Sequence, residues 1–129
     1  MPKLNLKVWG GAWGLPSIEP SCLATIAYAQ LSKAPIVLHE DTTANTVTGY
    51  LPELELDTLI YSDFFAIVGI FRREGYNADY GLCAEQQADT LAFLAYIERK
   101  IKPAVLYALW MDPNNYNRVT RPAYGKLFG

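Results

Sequence analysis

Tyr50-Leu51-Pro52-Glu53-Leu54-Glu55-Leu56-Asp57-Thr58-Leu59-Ile60-Tyr61-Ser62-Asp63-Phe64-Phe65-Ala66-Ile67 contains two periodicities that meet at its centre. Up to Tyr61 the apolar residues recur every second position, which is the signal of a half-buried strand. Pro52 starts a strand in which Leu54 and Leu56 face one way and Glu53 and Glu55 the other. Asp57-Thr58 reads as a tight turn, and Leu59-Ile60-Tyr61 as the return strand of a hairpin. After Asp63 the period changes. Phe64, Ile67, Val68 and Phe71 fall at i, i+3, i+4 and i+7, the apolar stripe of a helix. Asp63 or Ser62 caps that helix, and Gly75 is placed to stop it.

Toward the N-terminus, Leu4-Asn5-Leu6-Lys7-Val8-Trp9 alternates as a strand does. Gly10, Gly11, Gly14 and Pro16 make a long turn. Ser17 is read as the cap of the next helix, with Pro20 in its first turn. Leu23, Ile26, Ala27 and Leu31 supply its apolar face, and Ala34-Pro35 ends it. Ile36-Val37-Leu38-His39 reads as a short buried strand, and 40–49 as a polar loop. The order β-α-β, loop, β-β-α is the thioredoxin-like topology, with a right-handed βαβ crossover.

Beyond Gly75 the reading is helical. Residues 76–82 are turn-rich and read as a linker. Across 84–102, Ala88, Leu91, Ala92 and Ala95 mark one apolar face and Leu94, Ile97 and Ile101 another, so the helix should pack on more than one side. Pro103 should kink or break it. Helix resumes over 104–110, Asp112-Pro113-Asn114-Asn115 stops it, and 117–126 reads as one more short helix. The expectation is an α/β thioredoxin-like domain at 1–75 and the opening helices of an all-α domain at 76–129.

Bulk properties narrow the function classes. With 129 residues and 51% hydrophobic content, a real core is attainable without a metal or disulfide staple. A net charge of −2 argues against a nucleic-acid or polybasic membrane surface. The N-terminus has neither a secretory leader nor the Arg- and Ser-rich look of a transit peptide. The longest apolar run, 64–71, falls far short of the roughly 20 residues needed to span a bilayer, so the chain is expected to be soluble. Cys22 and Cys83 lack CxxC or metal-ligand spacing. They read as free thiols, with a disulfide between them left open. His39, the one histidine, has no acid or cysteine at metal spacing and reads as structural. No metal is expected.

Four runs carry a family resemblance: Gly10-Gly11-Ala12-Trp13-Gly14-Leu15-Pro16-Ser17, Tyr76-Asn77-Ala78-Asp79-Tyr80, Gln87-Ala88-Asp89-Thr90-Leu91-Ala92-Phe93 and Trp110-Met111-Asp112-Pro113-Asn114-Asn115-Tyr116. With the thioredoxin-like half and the helix behind it, the chain resembles the metaxin family, whose fold is similar to that of glutathione transferases. The resemblance implies a non-catalytic subunit on the cytosolic face of the mitochondrial outer membrane. It implies pairing with a metaxin 2-like subunit and with the machinery that sorts and assembles β-barrel proteins. A role in attaching mitochondria to transport motors is an alternative within the same family. Full-length metaxins continue past the position of Gly129, often to a membrane anchor, so this chain is expected to stop inside the helical domain.

The transferase comparison also implies a site, and several residues depart from it. Ser17, Ser21 and Cys22 are the candidates for stabilising a thiolate, with Ser17 better read as a cap. An acid and a serine would hold a γ-glutamyl carboxylate at the start of the helix after the hairpin. Asp63 fits the acid, and Phe64 stands where the serine belongs. An unpaired carboxylate there costs about 1–3 kcal/mol or more. Leu51-Pro52 occupies the position of the fold's cis-proline and reads equally as a backbone-pairing element or a strand starter. Ser17, Pro52, Asp63 and Phe64 therefore read as a degenerate glutathione site with no cofactor, and a glutathione-dependent enzyme is the alternative. Glu53, Glu55 and Asp57 read as a solvated edge. Trp13, Leu94, Ile97, Ile101 and Trp110 are the candidate interface residues, and an uncovered apolar face on the helix at 84–102 implies self-association, pairing with a second metaxin-like chain, or poor solubility.

Overall fold

A computed structural model of the chain describes residues 3–126. It divides into two compact units, Met1–Ala78 and Asp79–Gly129. In the first, β1 (Leu4–Val8), β2 (Ile36–Glu40), β3 (Glu53–Leu56) and β4 (Leu59–Ser62) form one sheet in the order β2-β1-β3-β4. β1 runs parallel to β2 and antiparallel to β3, and β3 and β4 form the hairpin. Leu4, Leu6 and Val8 of β1 and Leu54 and Leu56 of β3 share one face. That face is closed by Cys22, Ile26 and Ala29 of α1 (Pro20–Ser32) and by Ile67, Ile70 and Phe71 of α2 (Phe64–Arg73). Each large aliphatic or aromatic side chain buried there contributes about 1.5–3 kcal/mol.

Several local expectations are corrected. Glu19, not Ser17, caps α1: its Oε2 accepts from the Cys22 N–H at 2.7 Å, which leaves Ser17 buried outside the helix. The buried face of α1 is Cys22, Thr25, Ile26 and Ala29, while Ala27 and Leu31 are exposed. Thr25 can be buried because its hydroxyl donates to the Ser21 carbonyl at 2.8 Å. The helix ends at Ser32, before Ala34-Pro35, because Lys33 adopts a left-handed conformation (φ 60°) and donates to the Gln30 carbonyl. α2 ends in the same way. Gly75 (φ 95°) donates to Arg72 and Tyr76 to Phe71, so the glycine stop read from the sequence holds.

β2 is not a buried strand. It lies at the edge of the sheet, pairs only with β1, and leaves Val37, Leu38 and His39 exposed. His39 Nε2 lies 3.2 Å from Asn5 Oδ1 on the polar side of the sheet. The loop reading of 40–49 also needs amendment: β2 extends through Glu40, and Thr43–Asn45 forms a single 3-10 turn.

Glu53 departs furthest from its sequence reading. Its strand lies inside the sheet, and its carboxylate is buried rather than solvated. Oε2 accepts from Val47 N at 3.0 Å, Thr48 N at 2.9 Å and Thr48 Oγ1 at 2.7 Å. Lys7 Nζ lies 4.0 Å from Oε1 and also donates to the Asn45 carbonyl. The buried carboxylate thus ties Val47 and Thr48 of the β2–β3 connection to the sheet, and Lys7 ties Asn45. Glu55 and Asp57 are exposed, as expected of a solvated edge.

The second unit is helical: α3 (Ala84–Tyr96), α4 (Lys102–Leu106), α5 (Pro113–Asn115) and α6 (Arg121–Gly125). Helical backbone continues through Pro103. A π turn at Ile97–Ile101 joins α3 to α4, closed by Lys102 N–H to the Ile97 carbonyl, with αR backbone on both sides. Two more π turns, Tyr107–Met111 and Tyr116–Thr120, precede Pro113 and Pro122 at the same spacing. A proline cannot donate and its ring strikes the carbonyl four residues back. Widening the preceding turn draws that carbonyl away. The real break is Asp112, whose backbone is extended and whose Oδ1 caps α5 by accepting from Asn114 and Asn115 N–H. The final helical stretch accordingly begins at Pro113, ahead of the expected 117.

Glu53→Ala strands three donors in the β2–β3 connection and is expected to cost about 2–3 kcal/mol. Urea unfolding measures the loss, and faster amide exchange at Val47 and Thr48 localises it. Pro103→Ala is expected to let 97–102 relax to regular helix, with slower amide exchange there and a gain of about 1 kcal/mol.

Candidate functional site

The segment leaving β1 is shaped by backbone crowding. A Cβ at Gly11 would sit 2.2 Å from the Leu15 carbonyl oxygen, so only glycine fits. Leu15 N–H closes a turn onto the Ala12 carbonyl at 2.9 Å, with Trp13 (φ 57°) and Gly14 (φ 76°) at its centre. Trp13 is held there 61% exposed, an arrangement that costs about 1–3 kcal/mol for a bulky residue.

Cys22 lies in the first turn of α1, where the helix N-terminus favours a thiolate. Burial opposes this and wins. Desolvation pushes the thiol far above its ordinary pKa, and the Glu19 carboxylate adds to the rise; a backbone hydrogen bond at Trp9 and one from Ser17 offset it only partly. The thiol stays protonated and packs as a core side chain. Ser17 is also fully buried, its Oγ accepting from Glu19 N–H at 3.4 Å. Ser21 is half-buried on the helix.

At the second corner, Pro52 is buried and its peptide bond with Leu51 is cis. Asp63 turns the chain with φ 84° and makes no side-chain cap, so the expected carboxylate cap is absent. Ser62 cannot replace it. It belongs to β4, paired with Glu53. Phe64 opens α2 half-buried, its ring edge-on to Phe65 at 5.3 Å. The first intrahelical bond is Ile67 N–H to Asp63 O, which leaves the amides of 64–66 without a partner in the helix. The corner therefore offers backbone donors but no hydroxyl from Phe64.

Of the candidate interface residues, Trp13, Ile97, Ile101 and Trp110 are exposed and Leu94 is half-buried. Trp110 also packs against Tyr124 at 5.2 Å and Tyr116 at 6.1 Å, which anchors the π turn Tyr116–Thr120 and α6. Val47, Tyr50 and Phe65 are exposed apolar residues that single-element patterns passed over. Their shared feature is the end of the sheet from which they emerge, a property of topology. Among the described residues no cluster of His, Cys, Asp or Glu could hold a metal ion, and no helix is long and apolar enough to cross a membrane.

A family model for an outer mitochondrial membrane transport complex protein, Tom37, matches residues 22–129. The chain belongs to this family. Metaxin-3 of Xenopus laevis is 43% identical over 122 residues, covering 94% of this chain and 40% of that protein. Metaxin-1 of Sus scrofa is 39% identical over 125 residues, covering 95% of this chain and 39% of that protein. The chain thus spans about two fifths of the length of the metaxins it matches. Among solved structures, a glutathione transferase homologue from Burkholderia with bound glutathione aligns with a TM-score of 0.63 at 14% identity, over 80% of this chain and 60% of that one. A Nu-class transferase from Haemonchus contortus aligns with a TM-score of 0.57 at 19% identity, over 99% of this chain and 65% of that one. The metaxin resemblance and the transferase-like fold read from the sequence are both borne out.

In the native Tom37-family chain, exposed Cys83 is expected to react with a maleimide or aromatic disulfide and buried Cys22 to stay protected until denaturant is added. The unfolded thiol ionises at about 8.5, well below the folded one, so Cys22 stabilises the fold fully below that pH and progressively less above it. Thermal melts between neutral and alkaline pH should show this decline, and Cys22→Ala should flatten it.

Proposed function

We propose that this chain is a non-catalytic subunit of the mitochondrial outer membrane protein import and β-barrel sorting and assembly machinery. It acts through heteromeric contacts with a metaxin 2-like subunit and sits peripherally on the cytosolic face. The observation that carries the reading is the buried, protonated Cys22 at the corner where a transferase needs an accessible thiolate stabiliser. Phe64 in place of a serine removes the second element of glutathione capture, and membership of the Tom37 family supplies the setting. Trp13 of the first unit and Ile97, Ile101 and Trp110 of the second, all exposed, are the proposed contact residues, together with half-buried Leu94. The degenerate site comprises Ser17, Pro52, Asp63 and Phe64. The proposed domain limits are 1–75 and 76–129.

A second reading, a glutathione-binding remnant, draws on the amides of 64–66 at the start of α2, which suit a carboxylate. The two readings separate cleanly. Co-expression with a metaxin 2-like chain should give a stable complex on size exclusion, weakened by Ile97→Asp with Ile101→Asp. The wild-type chain should pass through glutathione resin without retention or thiol-conjugating activity, whereas Phe64→Ser should gain measurable retention. Turnover by the wild type that is lost in Cys22→Ala would overturn the non-catalytic reading.

A further inference from the structure

The strand register brings three segments to one end of the sheet. Val8 pairs with Glu40, Lys7 with Glu53, and Glu53 with Ser62. The exits of β1, β2 and β4 and the entry to β3 therefore lie side by side. Segments 9–19 and 41–52 and the corner at 63–65 all emerge there. From them project Trp13 and Leu15, Val47 and Tyr50, and Phe65, all exposed. Large apolar side chains gathered from three separate segments at one end mark a contact surface more strongly than scattered ones do.

Charge on this unit is sorted along the same axis. Glu19 stands before α1, Glu40 ends β2 and Asp41 follows it, and Asp63 turns into α2, all at the apolar end. The other end is basic on balance: Lys3 before β1, Lys33 after α1, and Arg72 and Arg73 at the end of α2 outnumber Asp57 of the β3–β4 turn and Glu74, which pairs with Arg73. Lys7 is the exception, and it is engaged with Glu53 and the Asn45 carbonyl. The starts of α1 and α2 each add about half a positive charge, less together than the four carboxylates supply. The apolar end therefore carries a negative rim.

We propose that this end of the sheet docks a cationic amphipathic peptide segment, its basic side chains against the acidic rim and its apolar ones against Trp13, Tyr50 and Phe65. The assignment rests on reading this fold as a contact scaffold, and it names the kind of partner. Anionic lipid headgroups would be repelled by the same carboxylates, which favours a peptide over a membrane surface.

The probe is a fluorescein-labelled amphipathic peptide of alternating Leu and Lys-Arg blocks, titrated with the full chain by fluorescence anisotropy. A matched peptide with glutamate at every basic position serves as control. Saturable binding of the cationic peptide alone, weakening as salt rises, is the expected result. Trp13→Ala should weaken it about tenfold, and Glu40→Gln with Asp63→Asn about fivefold. Melting curves of these exposed-site variants confirm that they are folded. Equal binding of both peptides, indifference to the variants, or sedimentation with phosphatidylcholine vesicles through Trp13 in place of peptide binding would each overturn the proposal. Complex formation with a metaxin 2-like chain is measured in parallel. A complex that forms while the peptide fails to bind sinks this inference and leaves the adaptor reading intact.

Discussion

One apolar sheet face, made by Leu4, Leu6 and Val8 with Leu54 and Leu56, has to be covered, and α1 and α2 cover it. Much else follows from that closure. Docking α1 requires small or apolar side chains at Cys22, Ile26 and Ala29, and so the thiol that a transferase-like corner could have offered to a ligand is spent on packing. The helix N-terminus pulls the thiol toward ionisation and burial pulls it the other way, with desolvation the larger effect. Fold and absence of thiolate chemistry at this residue have a single cause.

The opposite face of the sheet is handled differently. It carries Asn5, Lys7, His39, Glu53 and Glu55, and the connection from β2 to β3 is tied to it by the Glu53 carboxylate. A short polar segment with only a 3-10 turn is ordered without a core of its own, because Asp41 accepts from Thr42 and Asn45 and Glu53 accepts from Val47 and Thr48. The charge is tolerated in a buried place because its oxygens receive three hydrogen bonds and a lysine nearby.

Element types and their order were legible in the sequence. The hairpin at 53–62, α2 with its glycine stop, the β1 alternation and the α/β class all follow from period and turn chemistry. What sequence periodicity could not convey was position within the sheet. Ile36-Val37-Leu38 looks buried by composition yet forms an edge, and Glu53 looks solvated by alternation yet is covered by Val47 and Thr48, while Glu55 on the same strand stays exposed. The α1 cap was misassigned because Ser17 is of a preferred capping type and glutamate is not, and only local geometry sets Glu19 Oε2 on the Cys22 N–H. Of the site residues, the absence of a serine at Phe64 was readable from type alone. The inertness of Cys22 was not, since it depends on which face of α1 meets the core. The grouping of Val47 and Tyr50 with Trp13 was invisible because it arises from strand direction, with no spacing in the chain to signal it.

The wide turns ahead of Pro103 and Pro122, each inside continuous helical backbone, alter how this helical half can be aligned with its relatives. Each accommodates one residue more than a regular turn, so the downstream side chains are rotated by about a quarter of a revolution about the axis. A relative lacking one of these prolines could drop that residue and keep the same faces inward. Gaps in an alignment of such sequences would then fall in the middle of helices, where insertions and deletions are ordinarily least tolerated.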